Sequence, residues 1–133
     1  MPAQDNRVLV RRIVDEVNKQ GELSLVQQVV APAKQAAAKQ AATQARHVFP
    51  DLKITVEDTI AEGDKIAVRW TTSATHKGDA KGTKVGHLKA SGKHVTVGGI
   101  TILHIKDGKI VETWGVTDEA AVFEHLGLLK RSE

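Results

Sequence analysis

The chain has 133 residues, 41% hydrophobic and 3% aromatic, with 19 Lys and Arg against 16 Asp and Glu, no Cys and no Tyr. That length suits one domain with a real core, and the hydrophobic share excludes a chain disordered by composition. The missing Cys excludes disulfides, thiolate catalysis and Cys-rich zinc sites, the few aromatics argue against recognition of nucleic acid by base stacking, and no run reaches the ~18 apolar residues of a membrane span.

The N-terminal stretch MPAQDNRVLVRRIVDEVN carries no apolar core of the signal-peptide kind, so the expected location is the cytoplasm. Val10, Ile13, Val14 and Val17 follow the spacing of an amphipathic helix. Asp5 or Asn6 suits its start and Gly21 its end. Residues 24–30 form a short second helix with Ser24 as N-cap, and Pro32 suits a first helical position. Residues 33–48, rich in Ala, Lys and Gln, make a third helix of high intrinsic propensity, ended by Phe49-Pro50.

From residue 51 the period changes to two. Strands are expected over 52–60, 65–76, 93–105 and 109–117, with a turn at 62–65 and a final helix over 118–129. Gly98 and Gly99 mark a bend or bulge in the third strand. Between the second and third strands lies a segment, 76–94, with five Lys and three His against one Asp. A solvated loop explains it better than an anion-binding surface. Its glycines at 78, 82, 86 and 92 match neither a phosphate-cradling loop nor a dinucleotide fingerprint. Helices first and antiparallel strands after predict an α+β domain with helices on one face of the sheet.

The Asp107-Gly108 turn decides which side chains share a face. A two-residue turn pairs Lys106 with Lys109; a three-residue loop with a left-handed Gly108 pairs Ile105 with Lys109. The second form is favoured because it sets Ile100 opposite Trp114. In that register His104 and Asp118 lie about eight residues apart along the strands, on the order of 26 Å.

Asp118 ends the last strand and precedes EAAVFEHLG, residues 119–127, so it suits an N-cap with the acidic Glu119 in the first turn. It also follows Trp114 and Val116 on one strand face. A carboxyl desolvated beside them would have a raised pKa, tuned for proton abstraction next to a carbonyl. His76 is a structural residue at a strand end or lines a cavity mouth. His104 is a hydrogen-bonded strand residue or a helper in the same chemistry. Trp70 and Trp114 are core residues or cavity walls, and His125 is a surface residue. No His-Glu-x-x-His pair and no serine nucleophile elbow occurs.

Taken in order, Phe49-Pro50-Asp51, Ala61-Glu62-Gly63-Asp64-Lys65, Thr75-His76-x-Gly78, Ser91-Gly92-Lys93, Asp107-Gly108-Lys109-Ile110-Val111-Glu112, Trp114-x-x-x-Asp118 and Leu126-Gly127 resemble the SnoaL-like polyketide cyclases, or ester cyclases, of the nuclear transport factor 2-like superfamily. The resemblance implies one cone-shaped, cystatin-like α+β domain over 1–133: helices in 1–48, a strongly curved, mainly antiparallel sheet in 49–118, and a helix in 119–129. It implies a cavity, often a homodimer through the sheet, and no metal or organic cofactor. Carried over to this chain, it makes Asp118 the acid/base of an aldol ring closure on a hydrophobic, carbonyl-containing small molecule. His104 and His76 would orient or polarise that substrate, in a pocket lined by Trp70, Trp114, Val116, Ile100 and Ile102. The alternative is a non-catalytic small-molecule-binding or dimerisation module of the same fold. The Ala-rich third helix, which stands where family members carry a longer polar stretch, and the plain apolar lining both favour that alternative.

Overall fold

A computed structural model describes residues 3–83 and 86–125. Helices come first: α1 (Ala3–Asn18), α2 (Glu22–Val29), a short 3₁₀ turn at Pro32–Lys34 and α3 (Gln35–Val48). Strands β1 (Lys53–Glu62), β2 (Lys65–Thr75), β3 (Ala80–Thr83), β4 (Gly86–Leu88), β5 (His94–Lys106) and β6 (Lys109–Thr117) come next, and α4 (Glu119–His125) closes the described chain. The remainder of the expected last helix, and the surroundings of His125, lie outside the described residues.

The main sheet is antiparallel in the order β1-β2-β5-β6, and it is curved. β1–β2 and β5–β6 are hairpins, while β2 and β5 pair over their whole lengths despite the long excursion between them. That excursion, expected as a loop, contains the small β3–β4 ribbon. Bulges interrupt β1 at Glu57 and β6 at Val111. An extra residue on one strand bends it and increases its twist.

The Asp107-Gly108 turn corrects the favoured register. Asp107 and Gly108 both have positive φ, 53° and 74°, which is the two-residue hairpin turn. Lys106 therefore faces Lys109 and Ile105 faces Ile110. Past the Val111 bulge, His104 opposes Glu112, Ile102 opposes Trp114 and Ile100 opposes Val116. Of the bend or bulge expected at Gly98–Gly99, no bulge is present there: those glycines sit in unbroken pairing with β2, and the register shift between β5 and β6 falls at Val111.

Helix α1 lies across the inner face of β1 and β2. Val10 of α1 joins Ile66, Val68 and Ile105 in the inner core. Leu25, Val26, Val29 and Val30 form a second cluster around α2, and Leu9 and Ile110 pack against both. The end of α2 is tied to β6, where the Ala31 amide donates to the Ile110 carbonyl at 2.8 Å. Arg46 of α3 links three elements: its guanidinium donates to Glu22 Oε1 at 2.8 Å, to the Val17 carbonyl at 2.8 Å and to the Pro50 carbonyl at 2.9 Å.

The open edge of β1 is covered in part by a side chain. Asn18 Oδ1 accepts from the Ile54 amide at 2.7 Å and Asn18 Nδ2 donates to the Ile54 carbonyl at 2.9 Å. This reciprocal pair imitates a neighbouring strand at an edge that would otherwise invite pairing. Two expected caps are corrected. Helix α1 already runs through Asn6, which is buried and donates to the Gly63 carbonyl at 3.5 Å. Helix α2 starts at Glu22 with Gly21 as N-cap, and Ser24 donates back to the Gly21 carbonyl at 3.4 Å.

Candidate functional site: an inner cavity and an outer groove

Alternation along the strands divides the sheet into two chemically different faces. Trp70, Val68 and Thr72 of β2 share the inner face with Thr101 and Leu103 of β5. Between them, Ile54 of β1 and the Val10, Ile13 and Val14 side of α1 is an apolar cavity of about 280 Å3. No ionisable side chain lines it among the described residues; its polar side-chain groups are the Thr72 and Thr101 hydroxyls and the Trp70 N–H. Trp70 Nε1 donates to Thr101 Oγ1 at 2.9 Å.

Gly99 makes this arrangement fit. A Cβ on Gly99 would lie 2.5 Å from Trp70 Cζ2 and 2.6 Å from the Val116 carbonyl oxygen. The indole lies on bare backbone, so the glycine is set by close approach rather than by a special φ. Beside the cavity runs a charged cleft of about 480 Å3 between α1 and the β1 bulge. Arg7, Arg11, Asp15, Glu57 and Asp58 line it, and Val10 and Val14 are shared with the apolar hollow.

The outer face carries a second apolar concavity of about 600 Å3, a groove along β5 and β6. Ile100, Trp114 and Val116 line it at 49%, 44% and 75% exposure, with Ile102, Gly98 and Asp118 completing it. The Lys65 ammonium stands 5.5 Å from the Trp114 ring centroid.

The five residues expected to line one pocket are therefore divided. Trp70 faces the cavity, whereas Trp114, Val116, Ile100 and Ile102 face the outer groove. The three acid/base candidates are not gathered around the cavity either. Asp118 is exposed beyond the end of β6 and caps α4, its Oδ1 accepting from the Ala121 amide at 3.1 Å. Its own amide donates to the Gly98 carbonyl at 3.0 Å.

His104 lies near the other end of the outer face, opposite Glu112 and Lys65. Its Nε2 is 2.7 Å from Asp64 Oδ2, and this hydrogen bond holds the Asp64 carboxyl below its ordinary range. Asp64 belongs to the β1–β2 turn and its carbonyl accepts from the Ile105 amide at 2.8 Å, so the pair fastens one hairpin to the next strand.

His76 lies just past β2 and is buried at 2% exposure. Its Nδ1 is 3.0 Å from Ser91 Oγ, its ring centroid is 5.9 Å from that of Phe49, and its backbone pairs with Lys93 and Gly92. It closes the base of the 76–93 excursion. Nearby, Asp51 accepts from the Thr75 amide at 2.7 Å and the Thr75 hydroxyl at 2.8 Å, which lowers its pKa.

Sequence reasoning did not single out Thr72 or Thr101, and it named Asp64 and Asp51 only within the motifs that carry the resemblance. Thr101 stands on the same strand face as Leu103 and Ile105, but only the β2–β5 register brings it to Trp70. The Asp64–His104 pair likewise results from the pairing of Lys65 with His104.

Helices laid over a curved antiparallel sheet define an α+β domain of the nuclear transport factor 2-like kind. The chain belongs to the SnoaL-like polyketide cyclase family, whose sequence profile matches residues 8–126. Among solved structures it is similar to AclR, a proposed hydroxylase from Streptomyces galilaeus, with 25% identity, a TM-score of 0.83 and coverage of 99% of this chain and 87% of that one. It is similar in fold to TsrD from Streptomyces laurentii, at 24% identity and TM-score 0.77 over 97% of this chain and 99% of that one. The same holds for a SnoaL-like polyketide cyclase from Agrobacterium tumefaciens, at 18% identity and TM-score 0.77 over 96% and 100%. No curated protein sequence matches the chain. No helix among the described residues is long and apolar enough to cross a membrane.

Proposed function

We propose that the chain binds a compact, uncharged, hydrophobic small molecule in the cavity beneath α1, acting as a binding module of its family rather than as an acid/base catalyst. The observation that carries this reading is the lining. A solvent-open hollow of about 280 Å3 lined by Val, Ile, Leu and Trp side chains, with two hydroxyls and no ionisable group among the described residues, can hold an apolar ligand but has no acid or base to move a proton. Its volume is roughly twice that of an engineered apolar cavity of ~150 Å3 that binds benzene, so a ligand of one or two small rings suits it. Val14→Trp, which places an indole in the hollow, tests the reading. At ten times its dissociation constant a bound ligand stabilises the fold by roughly 1.4 kcal/mol. Isopropylbenzene is expected to raise the melting temperature of the wild type and not that of Val14→Trp; an equal rise in both contradicts the reading.

The outer face supports a second element of the proposal, a homodimer. Ile60, Ile100, Ile102, Trp114 and Val116 are all exposed on one side of the sheet. A contiguous apolar face of this kind marks an interface. A second copy is the occupant proposed, because a self-complementary apolar sheet face is buried most simply against its own copy. Asp118 lines the same outer groove, and that position keeps the acid/base reading as the second choice, although His104 and His76, its expected helpers, do not line the groove. In that reading Asp118→Asn abolishes turnover of a carbonyl substrate at unchanged melting temperature. In the binding reading Asp118 acts as the α4 cap.

A further inference from the structure

We propose that Thr101 sets the ligand chemistry of the inner cavity, donating its hydroxyl proton to a neutral ligand that carries an oxygen acceptor; this rests on the binding reading above. An indole N–H can only donate. In the 2.9 Å contact between Trp70 Nε1 and Thr101 Oγ1, the threonine oxygen must therefore accept. Thr101 has a single hydroxyl proton, and no hydrogen bond donated by it is made to another group among the described residues. Both residues line the cavity.

The surroundings hold this pair in place. Gly99 admits the indole, since any side chain there would meet Cζ2 at 2.5 Å. Across the strand pair Gly115 faces Thr101, and a Cβ there would approach Thr101 Oγ1 to 3.4 Å, so the absence of a side chain keeps the hydroxyl uncrowded. Accepting from Trp70 polarises the Thr101 O–H, which makes it a better donor in a low-dielectric hollow. Thr101 is half-buried, so a ligand oxygen in the hollow takes the place of solvent at its hydroxyl proton. The cavity is thus selective in two respects: its walls reject charge, and Thr101 favours an oxygen acceptor at one position. A ketone, aldehyde, ester or ether of one or two rings satisfies both conditions.

The test uses two probes of equal heavy-atom count, acetophenone and isopropylbenzene, titrated into the full chain and followed by amide and indole NMR. Their different hydration cancels when the ratio of their affinities is compared between variants. Thr101→Val, whose methyl takes the hydroxyl's place between indole and hollow, is expected to lower the ratio of acetophenone to isopropylbenzene affinity by roughly three- to tenfold. Thr101→Ser keeps the donor and is expected to keep the ratio, so the comparison survives even if the valine variant fails to fold. The Trp70 indole N–H resonance is expected to move with acetophenone and much less with isopropylbenzene. An unchanged ratio in Thr101→Val, a lost ratio in Thr101→Ser, or equal indole shifts with both probes overturns the proposal. If isopropylbenzene alone binds in the cavity, the binding reading stands and the Thr101 inference fails. If neither probe binds the wild type, both fail.

Discussion

Gly98 and Gly99 are adjacent, yet the structure assigns them opposite responses to the same substitution. In Gly99→Ala the new methyl points to the inner face, 2.5 Å from Trp70 Cζ2 and 2.6 Å from the Val116 carbonyl oxygen. The backbone oxygen cannot move without disturbing the β5–β6 ladder, so the indole must shift. Overpacking of this kind costs about 1–3 kcal/mol. A shifted indole also loses its hydrogen bond to Thr101, about 0.5–1.5 kcal/mol more. Replacing a strand glycine returns about 0.5–1 kcal/mol through lower chain entropy. The expected net loss is about 2 kcal/mol, within a span of about 0.5–4 kcal/mol. For a chain of this size the central value corresponds to a fall in melting temperature of about 6–8 °C.

Gly98→Ala points the other way. Its nearest neighbour would be the Trp70 carbonyl oxygen at 3.6 Å, an ordinary contact, so only the entropic gain remains. Gly98→Ala is expected to be neutral or stabilising by up to about 1 kcal/mol. Thermal melts followed by far-ultraviolet circular dichroism, with indole fluorescence for Trp70, make the comparison. Equal melting temperatures for the two variants would refute the placement of Trp70 against Gly99, and with it the shape of the cavity.

The same geometry carries three further outcomes. Asp118→Ala, losing the hydrogen bond to the Ala121 amide, is expected to destabilise by about 0.5–2 kcal/mol, whereas Asp118→Asn, still able to cap, costs little; chemical denaturation measures both. Asp64 and Asp51 are both held below the ordinary carboxylate range, by the His104 and Thr75 hydrogen bonds respectively, so each adds stability that is present above their unfolded value of about 3.9 and lost as pH falls from about 5 through their folded values. Melting temperature should therefore fall more steeply with acidification in the wild type than in Asp64→Asn, and parallel curves would contradict the assignment. Trp114→Asp places a charge in the middle of the outer apolar face and is expected to convert a dimer into a monomer in sedimentation equilibrium; a wild type that is monomeric at all concentrations removes the proposed interface.

Much of the architecture was legible in the sequence because the two hydrophobic periods are distinct. The Val10, Ile13, Val14 and Val17 spacing marks the face of α1, and alternation from residue 53 onward marks the strands to within a residue or two. What alternation leaves undecided is register. Asp-Gly serves two hairpins, and the extra residue at Val111 is invisible beside the equally apolar Ile110. That one residue decides that Trp114 pairs with Ile102 and faces outward, while Trp70 faces in.

Burial of His76 was equally hidden. It sits in a Lys-rich segment that reads as solvated, and only the folding back of Gly92 and Lys93 onto its backbone encloses it. The β3–β4 ribbon is made from glycine- and lysine-rich residues that carry no strand alternation. Asp118 was readable as a cap from the helix after it, and that cap is present in the structure. The cavity itself depends on how far α1 stands from the sheet, which no local pattern records.

The most direct test of the account asks where an apolar ligand sits. Isopropylbenzene added to methyl-labelled protein is expected to show nuclear Overhauser contacts to the methyls of Val10, Val14, Val68 and Leu103. Contacts confined to Ile100, Ile102 and Val116 would put the ligand on the outer face and contradict the account.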